Sequence, residues 1–252
     1  AAFTVVPSHV VAGSGKKPPS EQVNIAAIGV GERGNVDIPQ VARADGARIV
    51  ALCDVDHRLE STVKMFEKYP DAKRFVDYRR MFDMMESDID AVIIATPDHA
   101  HFHPAMSALQ LEKHVYLEKP LAHTIHEVRR LVAESKRHDV VTQMGNQGHS
   151  THGTALARDW IDDGAIGEVK EAWTWIGGGA GTEAYRETPA KGPIPSSLHW
   201  QLWLNRAPYE AFRPKFHPND WRGWRHFGEG QVGDECCHRL DLMYYALQPD
   251  LS

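Results

Sequence analysis

The chain has 252 residues, 25% of them charged and 42% hydrophobic, the balance of a folded globular protein rather than a disordered one. Its 28 Lys and Arg against 34 Asp and Glu leave a formal charge of −6, which disfavours whole-surface attraction to nucleic acid or anionic membrane. No apolar run approaches the roughly 18 residues that a bilayer span needs, and the length accommodates one domain or two.

The first 22 residues read as a flexible segment: a small and apolar start, Ala1-Ala2-Phe3-Thr4-Val5-Val6-Pro7, then a linker rich in Gly, Ser, Lys and Pro. The same pattern reads as the remnant of an export signal, which makes the periplasm the expected compartment and the cytoplasm the alternative.

From Val23 strand-like and helix-like runs alternate, the signature of an α/β fold with a parallel sheet covered by helices. Strands are expected at Val23–Ile28, Arg48–Cys53, Ala91–Ala95, Val115–Leu117 and Val140–Met144. Ile125, Val128, Leu131 and Val132 carry helical spacing before the last of them. Ligands of such sheets sit at the carboxyl ends of the strands, so the residues following each run matter most. After the first run comes Gly29-Val30-Gly31-Glu32-Arg33-Gly34, a GxGxxG that closes a strand and opens a helix. Asp54 follows the second strand, 20 residues after Gly34. Glycines allow the tight turn and close backbone approach, and a helix N-terminus stabilises a pyrophosphate. An aspartate at the second strand end accepts ribose hydroxyls and repels a 2′-phosphate, which points to NAD over NADP.

The third strand-like run leads into Thr96-Pro97-Asp98-His99-Ala100-His101-Phe102-His103. Only His99 and His103 would share a helix face, so these histidines read as polar lining of a nucleotide pocket rather than metal ligands. Cys53, Cys236 and Cys237 form no CxxC pair, and no metal site is expected. Val115–Leu117 runs into Glu118-Lys119-Pro120, where proline biases Lys119 to extended backbone and aims an ammonium along the strand end.

Gly145-Asn146-Gln147-Gly148 reads as the crossing into a second domain over 148–252. A helix around Leu156, Trp160 and Ile161, a strand at Val169–Ile176 and a long loop at Gly177–Pro195 follow. The stretches His199–Trp203 and Trp221–Arg225 concentrate tryptophan and arginine. They suit a sugar face or a packed core equally. Leu240, Met243, Tyr244 and Leu247 mark a helix whose other face carries Asp234 and His238, four apart. That pair is either a polar helix face with Asp234 as N-cap or a carboxylate supporting a general base.

Together these motifs resemble the glucose–fructose oxidoreductase / inositol dehydrogenase / MocA (Gfo/Idh/MocA) family. The resemblance is carried by Gly29 to Gly34, Thr96-Pro97 with His101, Glu118-Lys119-Pro120, and Asp234 with His238. It implies an NAD-binding Rossmann domain over 23–147 and a C-terminal α/β domain with an open-faced sheet. Members continue for many residues beyond the His238 helix, so that second sheet is expected to be incomplete here. The cofactor-facing residues implied are Gly29, Gly31, Glu32, Arg33, Gly34, Asp54, Thr96, Pro97, His101, Glu118, Lys119, Asn146 and Gln147. Lys119, Asp234 and His238 would surround the nicotinamide and the substrate carbinol, with Trp221 and Arg222 as further substrate contacts. The implied activity is hydride transfer between a sugar, cyclitol or glycoside alcohol and the cofactor, in a homo-oligomer. An NAD-dependent glycosidase of the same fold, whose members tend to differ at Glu-Lys-Pro, and a non-catalytic nucleotide-binding protein are the alternatives.

Overall fold

The computed structural model describes residue 18, residues 21–176 and residues 189–248; the expected export-signal segment and residues 177–188 of the expected loop lie outside the described residues. The elements in chain order are β1 (Val23–Ile28), α1 (Gly34–Val41), β2 (Ala47–Cys53), α2 (Glu60–Lys68), β3 (Lys73–Phe75), α3 (Tyr78–Met85), β4 (Ala91–Ile94), α4 (Phe102–Gln110), β5 (His114–Glu118), α5 (Ile125–His138), β6 (Thr142–Gly145), α6 (His152–Asp162), α7 (Trp200–Leu204) and α8 (Gly230–Leu247). The six strands form one all-parallel sheet in the order β3-β2-β1-β4-β5-β6, the doubly wound Rossmann arrangement whose direction of winding reverses between β1 and β4.

Strand periodicity sorts the core onto the two faces. Ile25 and Ala27 of β1 pack with Ile38, Met65 and Phe66 from α1 and α2, while Ala26 and Ile28 pack with Met81, Phe82, Ala105, Leu109 and Leu131 on the other side. In β2 the parity breaks: Ile25 pairs with Ile49 and Ala26 with Ala51, so Val50 is an extra residue. Ile49 and Leu52 consequently share the α1/α2 face, while Ala51 and Cys53 share the opposite one. The short β3, Lys-Arg-Phe, has no apolar alternation to reveal it in sequence, and it exists because β2 offers it a partner. The helix expected around Ile125 is α5, started by Thr124, whose hydroxyl oxygen accepts from the Glu127 amide.

Beyond Gly145 the described residues add helices and an aromatic cluster but no strand. The strand expected over Val169–Ile176 does not form. Trp173 and Trp175 stand about four-fifths exposed, and an apolar stretch without a neighbour to pair its backbone cannot make a sheet. The aromatics that suited a sugar face or a core equally are chiefly core: Trp200, Trp203, Phe212, Phe216, Trp221 and Phe227 are buried together, with Trp200 and Trp203 stacked at 4.6 Å. This cluster is stitched to the carboxyl end of the sheet. The His199 amide donates to the Val55 carbonyl at 3.0 Å, Asp56 bridges Leu198, and the His99 ring sits 2.9 Å from the Trp203 carbonyl oxygen and 3.2 Å from that of Phe227. Among the described residues no helix is long and apolar enough to cross a membrane.

Because Trp203 joins the aromatic cluster to His99, Trp203→Ala is expected to cost about 3–5 kcal/mol of stability in urea denaturation. A loss below about 1 kcal/mol would contradict this packing role.

Candidate active site

Strand β1 ends at Gly29, whose φ of +77° belongs to the region glycine tolerates, and a Cβ there would lie 2.8 Å from the Ala95 carbonyl group. A Cβ on Gly34 would overlap the Gly29 carbonyl oxygen. These glycines therefore let the β1–α1 turn press against the end of β4, leaving a concave floor at the switch point. Asp54 pins the turn: one carboxylate oxygen accepts from the amides of Val30 (2.9 Å) and Gly31 (3.2 Å), and the other from the Asp56 amide (2.9 Å). Burial pushes its carboxyl upward against these favourable hydrogen bonds.

Above this floor lies a cavity of about 500 Å³. Gly29, Gly31, Glu32, Arg33, Asp54, Thr96, Pro97, Glu118 and Lys119 line it, as do Asp98, Asp234, Trp221 and Arg222. Of the other expected residues, Gly34 acts through the turn's packing. His101 is sealed in the interior, its ring nitrogens 2.7 Å from the Thr96 carbonyl oxygen and 2.6 Å from that of Pro120. It fixes the two loops that carry cavity residues, so its polarity serves the backbone. His99 is likewise buried against backbone carbonyls, and of the three histidines only His103 lines the cavity. Among the described residues no group of three or more His, Cys, Asp or Glu is placed to hold a metal.

Lys119, at the end of β5, donates to the Asp234 backbone carbonyl at 2.8 Å and pairs with the Asp234 carboxylate, both side chains being about 15% exposed. Asp234 is not an N-cap, since α8 begins at Gly230; it sits one turn into the helix and also meets Arg222 at 3.5 Å. The Arg222 guanidinium in turn lies 4.4 Å from the centre of the Trp221 ring. His238 is one turn further along α8 and is not among the residues lining the cavity. Its Nδ1 is 2.7 Å from Asn146 Oδ1. Burial and then the nearby Lys119 charge pull its pKa down, which keeps the imidazole neutral near pH 7. Gln147 bonds the Tyr116 hydroxyl at 3.0 Å and Glu118, so it braces the strand end that carries the lysine.

Three carboxyl groups escaped the sequence reading. Asp37 on α1 is buried beside Glu118, with the half-buried Arg33 pairing with both, and burial followed by the Glu118 charge pushes it up to about 7. Asp98, in the segment that follows β4, is buried and accepts from the Glu229 amide at 3.3 Å; burial pushes it up to about 7 against the pull of Lys119. Its position at a strand end was the available signal. Asp241 continues the Asp234–His238 face of α8 at helical spacing, a regularity visible in the sequence.

Residues 23–146 match the family model described as an oxidoreductase family with NAD-binding Rossmann fold, GFO_IDH_MocA. This stretch belongs to the Gfo/Idh/MocA family. An inositol 2-dehydrogenase/D-chiro-inositol 3-dehydrogenase of Lacticaseibacillus casei is 31% identical over 148 residues, 58% of this chain and 42% of the relative. An alpha-N-acetylgalactosaminidase of Shewanella oneidensis is 30% identical over 159 residues, 60% of this chain and 34% of the relative. Among solved structures, scyllo-inositol dehydrogenase from Lactobacillus casei with bound NAD(H) and scyllo-inositol superposes with a TM-score of 0.50 at 26% identity, over 58% of this chain and 43% of that one. The chain thus spans between about a third and two fifths of the length of these curated relatives. The turn fits the family's dinucleotide: its glycines line the cavity at Gly29 and Gly31, and the Thr96 hydroxyl beside them is buried without a partner.

The raised carboxyl of Asp98 sets a pH dependence. Between about pH 4 and 7 the unfolded carboxyl ionises while the folded one keeps its proton, so its contribution falls as pH rises through that window. In urea titrations Asp98→Asn is expected to lose less stability between pH 5 and pH 8 than the parent does. Equal losses would refute the buried neutral carboxyl.

Proposed function

We propose that the protein is an NAD-dependent dehydrogenase oxidising a secondary alcohol of a sugar, cyclitol or glycoside. The observation that carries this reading is Lys119, held by Asp234 at the wall of the cavity whose floor is the glycine turn. A cofactor of this class, when bound, accepts the hydride from the carbinol carbon. Gly29, Gly31, Glu32 and Arg33 would hold its pyrophosphate at the start of α1, with Asp54 facing its ribose. The Asp54 carboxylate, even while holding the turn, keeps lone pairs for ribose hydroxyls and disfavours a 2′-phosphate.

The Lys119 ammonium, oriented by Asp234, stabilises charge developing on the substrate oxygen as its proton departs. His238, neutral and one helical turn from Asp234, accepts that hydroxyl proton: the O–H bond breaks as an N–H bond forms on the imidazole. Arg222 on Trp221 flanks the same end of the cavity and is read as a substrate contact beside an aromatic face. The name of the Lacticaseibacillus relative supports a cyclitol or sugar alcohol. The Shewanella relative's name supports a second reading, glycoside cleavage with the cofactor retained. The Glu118-Lys119-Pro120 stretch favours plain dehydrogenation. A homo-oligomer rests on the family resemblance alone.

Incubation with NAD and a panel of sugars, cyclitols and aryl glycosides, followed by NADH absorbance and product chromatography, tests the reading. Net NADH is the expected result. Glycoside cleavage without net NADH would replace it with the second reading, and neither outcome would leave a binding protein. Lys119→Ala should lower kcat by about 10²–10⁴-fold while NAD affinity stays within about threefold. An unchanged kcat would remove Lys119 from the chemistry.

A further inference from the structure

The face of α8 turned toward the ends of β5 and β6 carries Asp234, His238 and Asp241 in succession, and their partners differ. Asp234 engages Lys119. His238 and Asp241 both engage Asn146, the buried residue that directly follows β6. Asn146 Nδ2 lies 2.8 Å from Asp241 Oδ1 and 3.1 Å from the Cys237 carbonyl oxygen, while its Oδ1 lies 2.7 Å from His238 Nδ1. His149 lies 3.0 Å from the same Asp241 oxygen, at the outer end of this chain of contacts.

The hydrogen-bonding capacities of these groups leave one arrangement. An ionised carboxylate and a backbone carbonyl only accept, so the amide nitrogen of Asn146 must face Asp241 and Cys237. Its oxygen then faces His238, and an amide oxygen also only accepts. The nitrogen it meets must therefore be N–H, which places the proton of a neutral ring on Nδ1 and the lone pair on Nε2.

We infer that Asn146 and Asp241 are positioning residues that hold His238 as its Nδ1–H tautomer, with Nε2 left as the base. Asp241 acts at one remove, by fixing which way the Asn146 amide points. The logic is that of a carboxylate orienting a catalytic imidazole, with an amide inserted between the two. Asn146 was expected to face the cofactor, but both its polar atoms are committed to α8. The inference concerns the base of the dehydrogenase reading and rests on that reading for its functional meaning.

The ring's protonation state can be measured without turnover. In ¹⁵N-labelled protein, long-range ¹H–¹⁵N spectra assigned with a His238→Gln variant report which ring nitrogen carries hydrogen. The parent should show His238 as the Nδ1–H form. Asp241→Asn is nearly isosteric and places a second amide against Asn146. Only the Cys237 carbonyl then fixes which way the Asn146 amide points, and the introduced amide offers a donor as well as an acceptor, so part of the signal should shift toward the Nε2–H form. In the same variant kcat should fall at least about tenfold, with KM for NAD changed less than about twofold. Asn146→Ala should shift the tautomer in the same direction. A parent His238 in the Nε2–H form, or an Asp241→Asn variant with the parent's tautomer, would overturn the inference. A tautomer shift in a protein that oxidises no alcohol would uphold the positioning and defeat the dehydrogenase reading, so the two fail separately.

Discussion

The arrangement depends on one contact across the molecule: the ammonium of Lys119, at the end of β5, against the carboxylate and backbone carbonyl of Asp234 in α8. The partners are 115 residues apart in sequence. Such a pair is costly to bury and stabilises only when its geometry is well satisfied, so its value lies in fixing where α8 sits. Once Asp234 is placed, helical spacing delivers His238 and Asp241 to the end of β6, where Asn146 receives both. One helix face meeting consecutive strand ends thus sets Lys119 at the cavity wall and the imidazole one turn away, against Asn146.

The same burial that holds the pair shapes the protonation of its surroundings. Asp37 and Asp98 are pushed toward neutrality and His238 is pulled away from its cationic form. Uncompensated charges are few around this cavity, because each would be expensive to bury. Arg33 offsets the Asp37–Glu118 carboxyls beside the glycine turn, and Arg222 shares Asp234 with Lys119. Glu118 and Lys119, adjacent residues at the close of β5, tie the two groups together, one paired with Arg33 and the other with Asp234.

Much of this was legible from local pattern. The GxGxxG after a strand, Asp54 after the next, and Lys119 set by a following proline each follow from chain direction and strand-end position. Five of the six strands have enough apolar residues to announce themselves, whereas Lys73–Phe75 is defined by its neighbour alone. What sequence could not give was partnership. Val169–Ile176 has strand composition and no strand to pair with, while the tryptophans of 200–224 are core because His99 and Val55 supply surfaces for them. His101 looked like a pocket residue by motif, and it is a staple between two backbone carbonyls. Asp241 was visible as the next residue on the helix face of Asp234 and His238, but it gains meaning only with Asn146 opposite it.

The most direct test of this account is a double-mutant cycle on Lys119 and Asp234, with stability measured by urea denaturation for the parent, Lys119→Met, Asp234→Ala and the combined variant. If the pair fixes α8 on the strand ends, the two substitutions should be coupled by at least about 1 kcal/mol. Additive losses, with coupling near zero, would show that α8 is held by other contacts and that the proposed site is not organised by this interaction.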